Sequence, residues 1–502
     1  MSEQMCIMCG KGFEISEADR AFYMKIDVPS PKACPRDRLR RRLAFRNERS
    51  LYKRKCDKTG QDIISNLRPD APVPVYHLDE WQKDNWTAPS LPSFDFSKSF
   101  FEQLSILWRV APRMHKASAG NEVNSEFTNH SGNAKNCYYT FNSEYNEDSM
   151  YLRFADHCRD CMDCNNILNS ELSYECVNVD NGYRLFFSDD CKNCRDSAFL
   201  RYCRRVSNSL FCYGLEQKEY HIFNQPHTKE NFIEKIRALR LNTASGLHAA
   251  AQQWNDWSQQ FPLIREVLIN CESSRGNSLY NCKNALDCYN CSDLEDCRYV
   301  LNSVRVKDSY DFYAYGEAEL CYESVTMMKN YNAKFCVNAL YSDNIEYSDN
   351  CRNCHYCFGC VGLNKKSYCI FNKQYTKDEY EDLVPRIKEK MRQDGEYGEF
   401  FPLEFSYFPY EDTLAQDYFP MQEKVVPPAQ GTYEEVTTLP DDIMQTNIDE
   451  IAGKTYLCPE TKKLFRFQKK ELEFYKKLLL PLPRTSFERR YKRRNKLIPF
   501  PY

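Results

Sequence analysis

The chain has 502 residues, enough for several domains and a sizeable buried core. Sixteen glycines are too few for a collagen-like or glycine-linker architecture, and 35 Tyr with 31 Phe are too aromatic for intrinsic disorder. A net charge of −3 and the want of any signal peptide or ~18-residue apolar run predict a soluble, cytoplasmic protein with no membrane partner, in which 26 cysteines are metal ligands, reactive groups or small buried hydrophobes rather than disulfides.

Residues 1–60 read as a basic, zinc-ribbon-like module. Cys6-x2-Cys9-Gly10 has knuckle spacing, and a second half follows about 25 residues on at Cys34-Pro35. Three thiolates (Cys6, Cys9 and Cys34) and Asp37 in the fourth place, with Cys56 as the alternative, suit one zinc ion. Arg36 to Lys55 then carries ten Lys/Arg against two acids. Arg36, Arg38, Arg41, Arg42, Arg46, Lys53 and Arg54 are candidates for phosphate contacts, with Phe45 and Tyr52 able to stack on bases. Residues 61–119 form a connector, with a helix expected from the spacing of Phe100, Leu104, Leu107 and Trp108. Cys56-x2-Thr59-Gly60 and His77-x2-Glu80 repeat the knuckle spacing with only two good ligands.

The body is duplicated over 120–265 and 266–402. Gly214-Leu215…Tyr220-x-Ile222-Phe223-Asn224…Thr228-Lys229 recurs as Gly362-Leu363…Tyr368-x-Ile370-Phe371-Asn372…Thr376-Lys377, and Phe261-Pro262-Leu263 recurs as Phe401-Pro402-Leu403. In the first copy nine cysteines, from Cys137 to Cys212, differ by multiples of three; in the second, eleven do so from Cys282 to Cys369, with Cys271 out of step. Other residues on that phase are mostly Ser, Ala, Val, Leu and Ile. A period of three fits neither an amphipathic helix nor an ordinary strand. It fits mainly-β architecture in two tandem thin parallel β-solenoids that turn a corner at each triplet, with Asn supplying the turns and helices capping each copy. The pattern resembles the thin β-helical antifreeze proteins of insects in geometry alone. Bulky inward residues Leu152, Ile167, Leu185, Leu200 and Leu215 are 15 or 18 apart, which predicts coils of about 15–18 residues. By the same phase, Cys351-x2-Cys354-x2-Cys357-x2-Cys360 is core packing rather than an iron–sulfur or zinc sequence.

Residues 403–450, rich in proline and aromatics, read as an extended strap. Residues 451–502 repeat the first module: Phe474 with Pro481-Leu482-Pro483 matches Phe22 with Pro29-Ser30-Pro31, and Arg490, Arg493 and Arg494 fall on Arg38, Arg41 and Arg42. Cys458, Thr461, Ser486 and Arg489 stand at its ligand positions, so this copy is expected to be metal-free. With its terminal modules resembling the probable zinc-ribbon domain, the whole chain is similar to an uncharacterised cysteine-rich family of candidate-phyla-radiation bacteria. The resemblance rests on the RRLAFRNERSLYKRKC stretch, both GL-x4-Y-x-IFN repeats and the FFPLEFSYFPYEDTLAQDYFP segment. It implies ribbon modules and a shared architecture, and no activity.

Arg484 to Lys496 adds seven Lys/Arg against one acid, so the remainder of the chain is strongly acidic. The expected function is a non-enzymatic binding protein whose basic ends, Arg490, Arg493 and Arg494 included, dock on RNA, DNA or the ribosome. The alternative is a scaffold that binds protein partners on the solenoid face. No nucleotide loop, nucleophile elbow or convincing acid–base pair favours an enzyme.

Overall fold

In a computed structural model that describes residues 2–83, 85–264, 266–421 and 431–502, the chain is mainly β, with parallel sheets and a minority of helices. Contacts group it into two units. One comprises 1–117, 264–421 and 499–502; the other comprises 118–263 and 422–498. Each unit therefore pairs a terminal module with the body copy that is not its neighbour in the chain.

In the body copies, nearly every third residue has a left-handed backbone, among them Asn121, Asn124, Asn133, Asn136, Asn178, Asn181 and Asn193. Asn and Asp tolerate that region best, because their short polar side chains bond locally. They also stack: Asn136 donates to Asp148 at 2.9 Å, Asn166 to Asn178 at 3.0 Å and Asn290 to Asn302 at 2.7 Å, each 12 residues on. Backbone pairing has the same step, with Met150 opposite Met162 and Ile345 opposite Cys357. The step is thus four triplets, not the 15–18 residues expected. Bulky inward residues 15 apart advance one step plus one triplet. Each sits beside, rather than on top of, the last, as a narrow core requires.

The residue after most left-handed positions in the body is buried, including Cys161, Cys176, Cys191 and Cys203. Ser at these sites completes the backbone's hydrogen bonding. Ser149 Oγ donates to Glu147 O at 2.8 Å and accepts from Cys161 N–H at 3.1 Å. Cysteine makes the weaker version: Cys161 Sγ lies 3.4 Å from the carbonyls of both Arg159 and Ser170. Cys351, Cys354, Cys357 and Cys360 do the same, and all 26 thiols are free. Cys271 is out of phase because the second copy opens with an 11-residue step, Leu268 opposite Leu279. The register recovers at Gly276, where a Cβ would stand 1.8 Å from Cys288 O.

A helix at Lys229–Ala238 and another at Ala244–Ser258 follow the first copy, burying Phe232 and Ala250 against Phe199, Phe211 and Ile222. Lys377–Gln393 follows the second, opened by the Thr376/Glu379 capping box and continuous through Pro385. Pro385 lies inside it, in the third turn. The expected connector helix is Phe100–Val110. The strap contains short helical turns at Leu403–Phe405 and Tyr410–Asp412; its residues 422–430 lie outside the described residues. Among the described residues no helix is long and apolar enough to cross a membrane.

Candidate metal centre and arginine clamps

Three hairpins share one local design. Cys6 N–H donates to Lys11 O at 2.9 Å and Gly10 N–H to Cys6 O at 2.9 Å; the same pair of bonds joins Cys56 with Gln61 and Gly60, and Cys458 with Lys463 and Lys462. The fifth residue is left-handed in each, which glycine supplies at 10 and 60 and Lys462 tolerates. A later N–H returns to each sulfur: Cys34 to Cys6 at 3.3 Å, His77 to Cys56 at 3.3 Å and Ser486 to Cys458 at 3.4 Å.

The hairpins differ in what completes them. In the first, Cys6, Cys9, Cys34 and Asp37 bring their ligand atoms within 4.8 Å of one another, a group that could hold a metal ion. Cys6 and Cys34 each lie 3.3 Å from Asp37 Oδ2. Burial opposes ionisation of Cys6, yet the N–H groups of Cys34, Cys9 and Met8 outweigh it and lower its pKa, as suits a thiolate ligand. Burial likewise opposes the Asp37 carboxylate, and the surrounding thiols with Arg40 hold it below the ordinary range. Cys34 is pushed up to about 12 by burial and the Asp37 carboxylate, a penalty that a bound cation would remove.

Cys56, the alternative fourth ligand, belongs instead to the second hairpin. There Lys58 pairs with Glu80 at 3.3 Å across the knuckle. In the third hairpin Glu460 and Arg489, at the corresponding places, pair with the charges reversed. An ion pair stands in these two hairpins where the first gathers its fourth ligand. Sequence spacing showed the three knuckles; it did not show these closures, although residues two after the first Cys carry the signal.

The basic runs lie elsewhere than expected. Arg38, Arg41, Arg42 and Arg46 are buried, as are Arg490 and Arg494, so six of the ten residues expected to meet phosphate face the protein interior. Arg38 Nε donates to Asp311 Oδ2 at 3.0 Å, and Arg42 reaches Asp311 Oδ1 at 2.8 Å. Arg490 and Arg494 hold the two oxygens of Asp163 at 2.8 Å each. Arg41 meets Glu323 at 2.5 Å, and Arg493 meets Glu175 at 2.9 Å. The two sets correspond residue by residue. Both acids shift by 148, the spacing of the body copies, and all three arginines by 452, the spacing of the modules. The aromatic surroundings match as well: Tyr23 meets Tyr322 edge-on at 5.0 Å, and Tyr475 meets Tyr174 at 5.5 Å.

These acids were missed in the sequence, although aligning the two body copies places Asp163 on Asp311 and Glu175 on Glu323. Of the remaining basic candidates, Arg46 binds Glu48 at 2.8 Å and Arg54 binds Asp57 at 2.9 Å. Arg36 and Lys53 are exposed, with Arg36 over the Phe419 ring at 5.2 Å. Phe45 is buried against Phe400 and is not offered to a base; the half-buried Tyr52 binds Asp412 through its hydroxyl at 2.8 Å and carries Arg68 over its ring at 5.7 Å.

No protein-family model matches the chain, and a search of curated proteins finds no match.

Proposed function

We propose that the chain is a zinc-bearing scaffold that binds other proteins and is not an enzyme. Its frame would be two thin parallel β-solenoids, each capped by the helices that follow it and each clamped by one ribbon-like terminal module. The observation that carries this reading is the fate of the basic runs: their guanidiniums close on Asp163, Glu175, Asp311 and Glu323 within the chain. A buried guanidinium already shared with a carboxylate has no donor face to offer a phosphate. The acidic body and basic ends are then two halves of one internal fit. Three thiols and a carboxylate gathered around one point support zinc in the first module, where it would fix the hairpin against the Pro35–Leu43 helix that carries the clamp.

Retention on single-stranded RNA and duplex DNA resins tests the reading. The scaffold should pass through both at 50 mM salt. A nucleic-acid docking protein making six to ten phosphate contacts would be held there and released by about 200 mM salt. Salt-sensitive retention would replace this reading with nucleic-acid docking through the exposed Arg36, Lys53 and Arg493.

A further inference from the structure

The unit formed by 118–263 and 422–498 contains a cavity of about 840 Å³ whose lining includes Phe187, Phe199, Trp254, Phe261, Arg493 and Leu497. Five arginines and two carboxylates contribute to its wall; Arg490 and Arg494 are taken up by Asp163 and Arg201 pairs with Asp189, while Arg493 keeps an exposed guanidinium that can meet an acid. What the cavity is shaped for can be read from the other unit, where the corresponding space is filled by the chain itself.

There Phe335 and Tyr347 stack at 4.6 Å, as Phe187 and Phe199 do at 4.9 Å. Across this floor runs the segment Tyr397-Gly398-Glu399-Phe400-Phe401. Gly398 N–H donates to the Tyr347 hydroxyl at 2.9 Å, and Glu399 pairs with Arg41 at 3.5 Å. Phe400 packs edge-on to Phe45 at 5.5 Å, and Phe401 meets Tyr347 at 6.3 Å. Arg41 and Phe45 correspond to Arg493 and Leu497. In the cavity-bearing unit the matching segment reads Gln259-Gln260-Phe261, with both glutamines exposed. The acid and the first ring are missing from this segment, and Phe261, in the place of the second, stacks on Tyr213 at 4.5 Å rather than on Phe199. The receiving residues are left open: the Arg493 side chain is 59% exposed against 8% for Arg41, and Leu497 is 44% exposed against 1% for Phe45.

We infer that this cavity receives an extended segment of a partner protein bearing an acidic residue followed by two aromatic rings, seated as Glu399, Phe400 and Phe401 are seated in the other unit. The carboxylate meets Arg493, and the first ring covers Leu497. The floor of Phe187 and Phe199 takes the second. This deepens the protein-scaffold reading and rests on it.

The test uses the full chain and a synthetic peptide of its own residues 395–405, Gly-Glu-Tyr-Gly-Glu-Phe-Phe-Pro-Leu-Glu-Phe, in isothermal titration. One peptide per chain should bind saturably. Replacing Phe400 with Ala in the peptide should weaken binding about 10- to 100-fold, from the apolar area lost. Arg493→Gln in the protein, a change at an exposed side chain, should weaken it about tenfold. Arg493→Glu should abolish binding of the native peptide and restore it for a peptide carrying Glu399→Arg. No binding to the wild-type chain at ~1 mM peptide, the scale of about −4 kcal/mol, overturns the inference, as does binding that neither Phe400→Ala nor Arg493→Gln changes. Failure here leaves the scaffold reading standing, whereas salt-sensitive retention on nucleic acid with intact peptide binding removes the scaffold reading alone.

Discussion

Asp311 is the most exacting place to perturb the clamp. Its two oxygens serve Arg38 and Arg42, whose side chains are 2% and 1% exposed. Asp311→Ala leaves both guanidiniums buried, with Arg38 keeping only its bond to Ala33 O at 2.9 Å. Removing one partner of a buried pair costs about 3–5 kcal/mol, because the remaining charge is desolvated without compensation. The cost should fall on the helix Pro35–Leu43, which carries both arginines. Native-state hydrogen exchange reads it directly: amides of that helix should exchange about 140- to 3,700-fold faster at fixed pH, since 1.4 kcal/mol is a factor of ten. The duplication supplies the control. Asp163→Ala should accelerate Phe487–Asn495 in the same way and leave Pro35–Leu43 unchanged, and the reverse for Asp311→Ala. Arg38→Met and Arg42→Met combined with Asp311→Leu should recover most of the protection, because an apolar replacement removes the stranded charges together. Less than tenfold acceleration, or equal acceleration of both helices by either substitution, would refute the clamp.

Elemental analysis should return about one zinc per chain, and Cys9→Ser should release it while leaving the far-UV spectrum of the body nearly unchanged; two or more zincs, or any iron, would contradict the assignment of the body thiols to packing. In the native chain Ellman's reagent should reach no body thiol but Cys271, the others being buried, and rapid reaction of a second would contradict their inward placement. Ser149→Ala should cost about 1–3 kcal/mol, because Cys161 N–H loses its buried acceptor, measured by urea unfolding, with Ser149→Cys milder. His115 carries a pH dependence. Burial, with His77 stacked on it and Lys116 beside it, lowers its pKa to about 3 against the Tyr76 carbonyl's pull, and its Nδ1 accepts Leu78 N–H at 2.9 Å. Because the folded value lies below the unfolded ~6.5, the contribution is complete above pH 6.5 and falls as pH drops toward 3. About 2 kcal/mol should be gone by pH 5, and His115→Asn should flatten that slope.

What could be read in the sequence was what is local. The knuckle at Cys6 and Cys9 closes over a few residues, and the triplet phase repeats within every step, so both show in one dimension. The step length did not, because residues such as Leu152 and Ile167 mark where bulk is staggered rather than where the backbone pairs. The arginines misled for a related reason. Arg38 and its acceptor are 273 residues apart, and Arg490 and its acceptor are 327 apart, so no window of sequence contains both. Seen one segment at a time, a basic run on a short helix has the look of a phosphate-binding surface. The duplication breaks that ambiguity. A solvated or phosphate-binding arginine has no reason to find the same acid in the other body copy. Yet Arg38 with Arg42, and Arg490 with Arg494, each share one aspartate, and those aspartates are related by the offset that relates the body copies themselves. The terminal modules therefore carry their charge for the body. In the order module, copy, copy, module the two clamped pairs interleave, first with third and second with fourth, and each half tests what the other half is for.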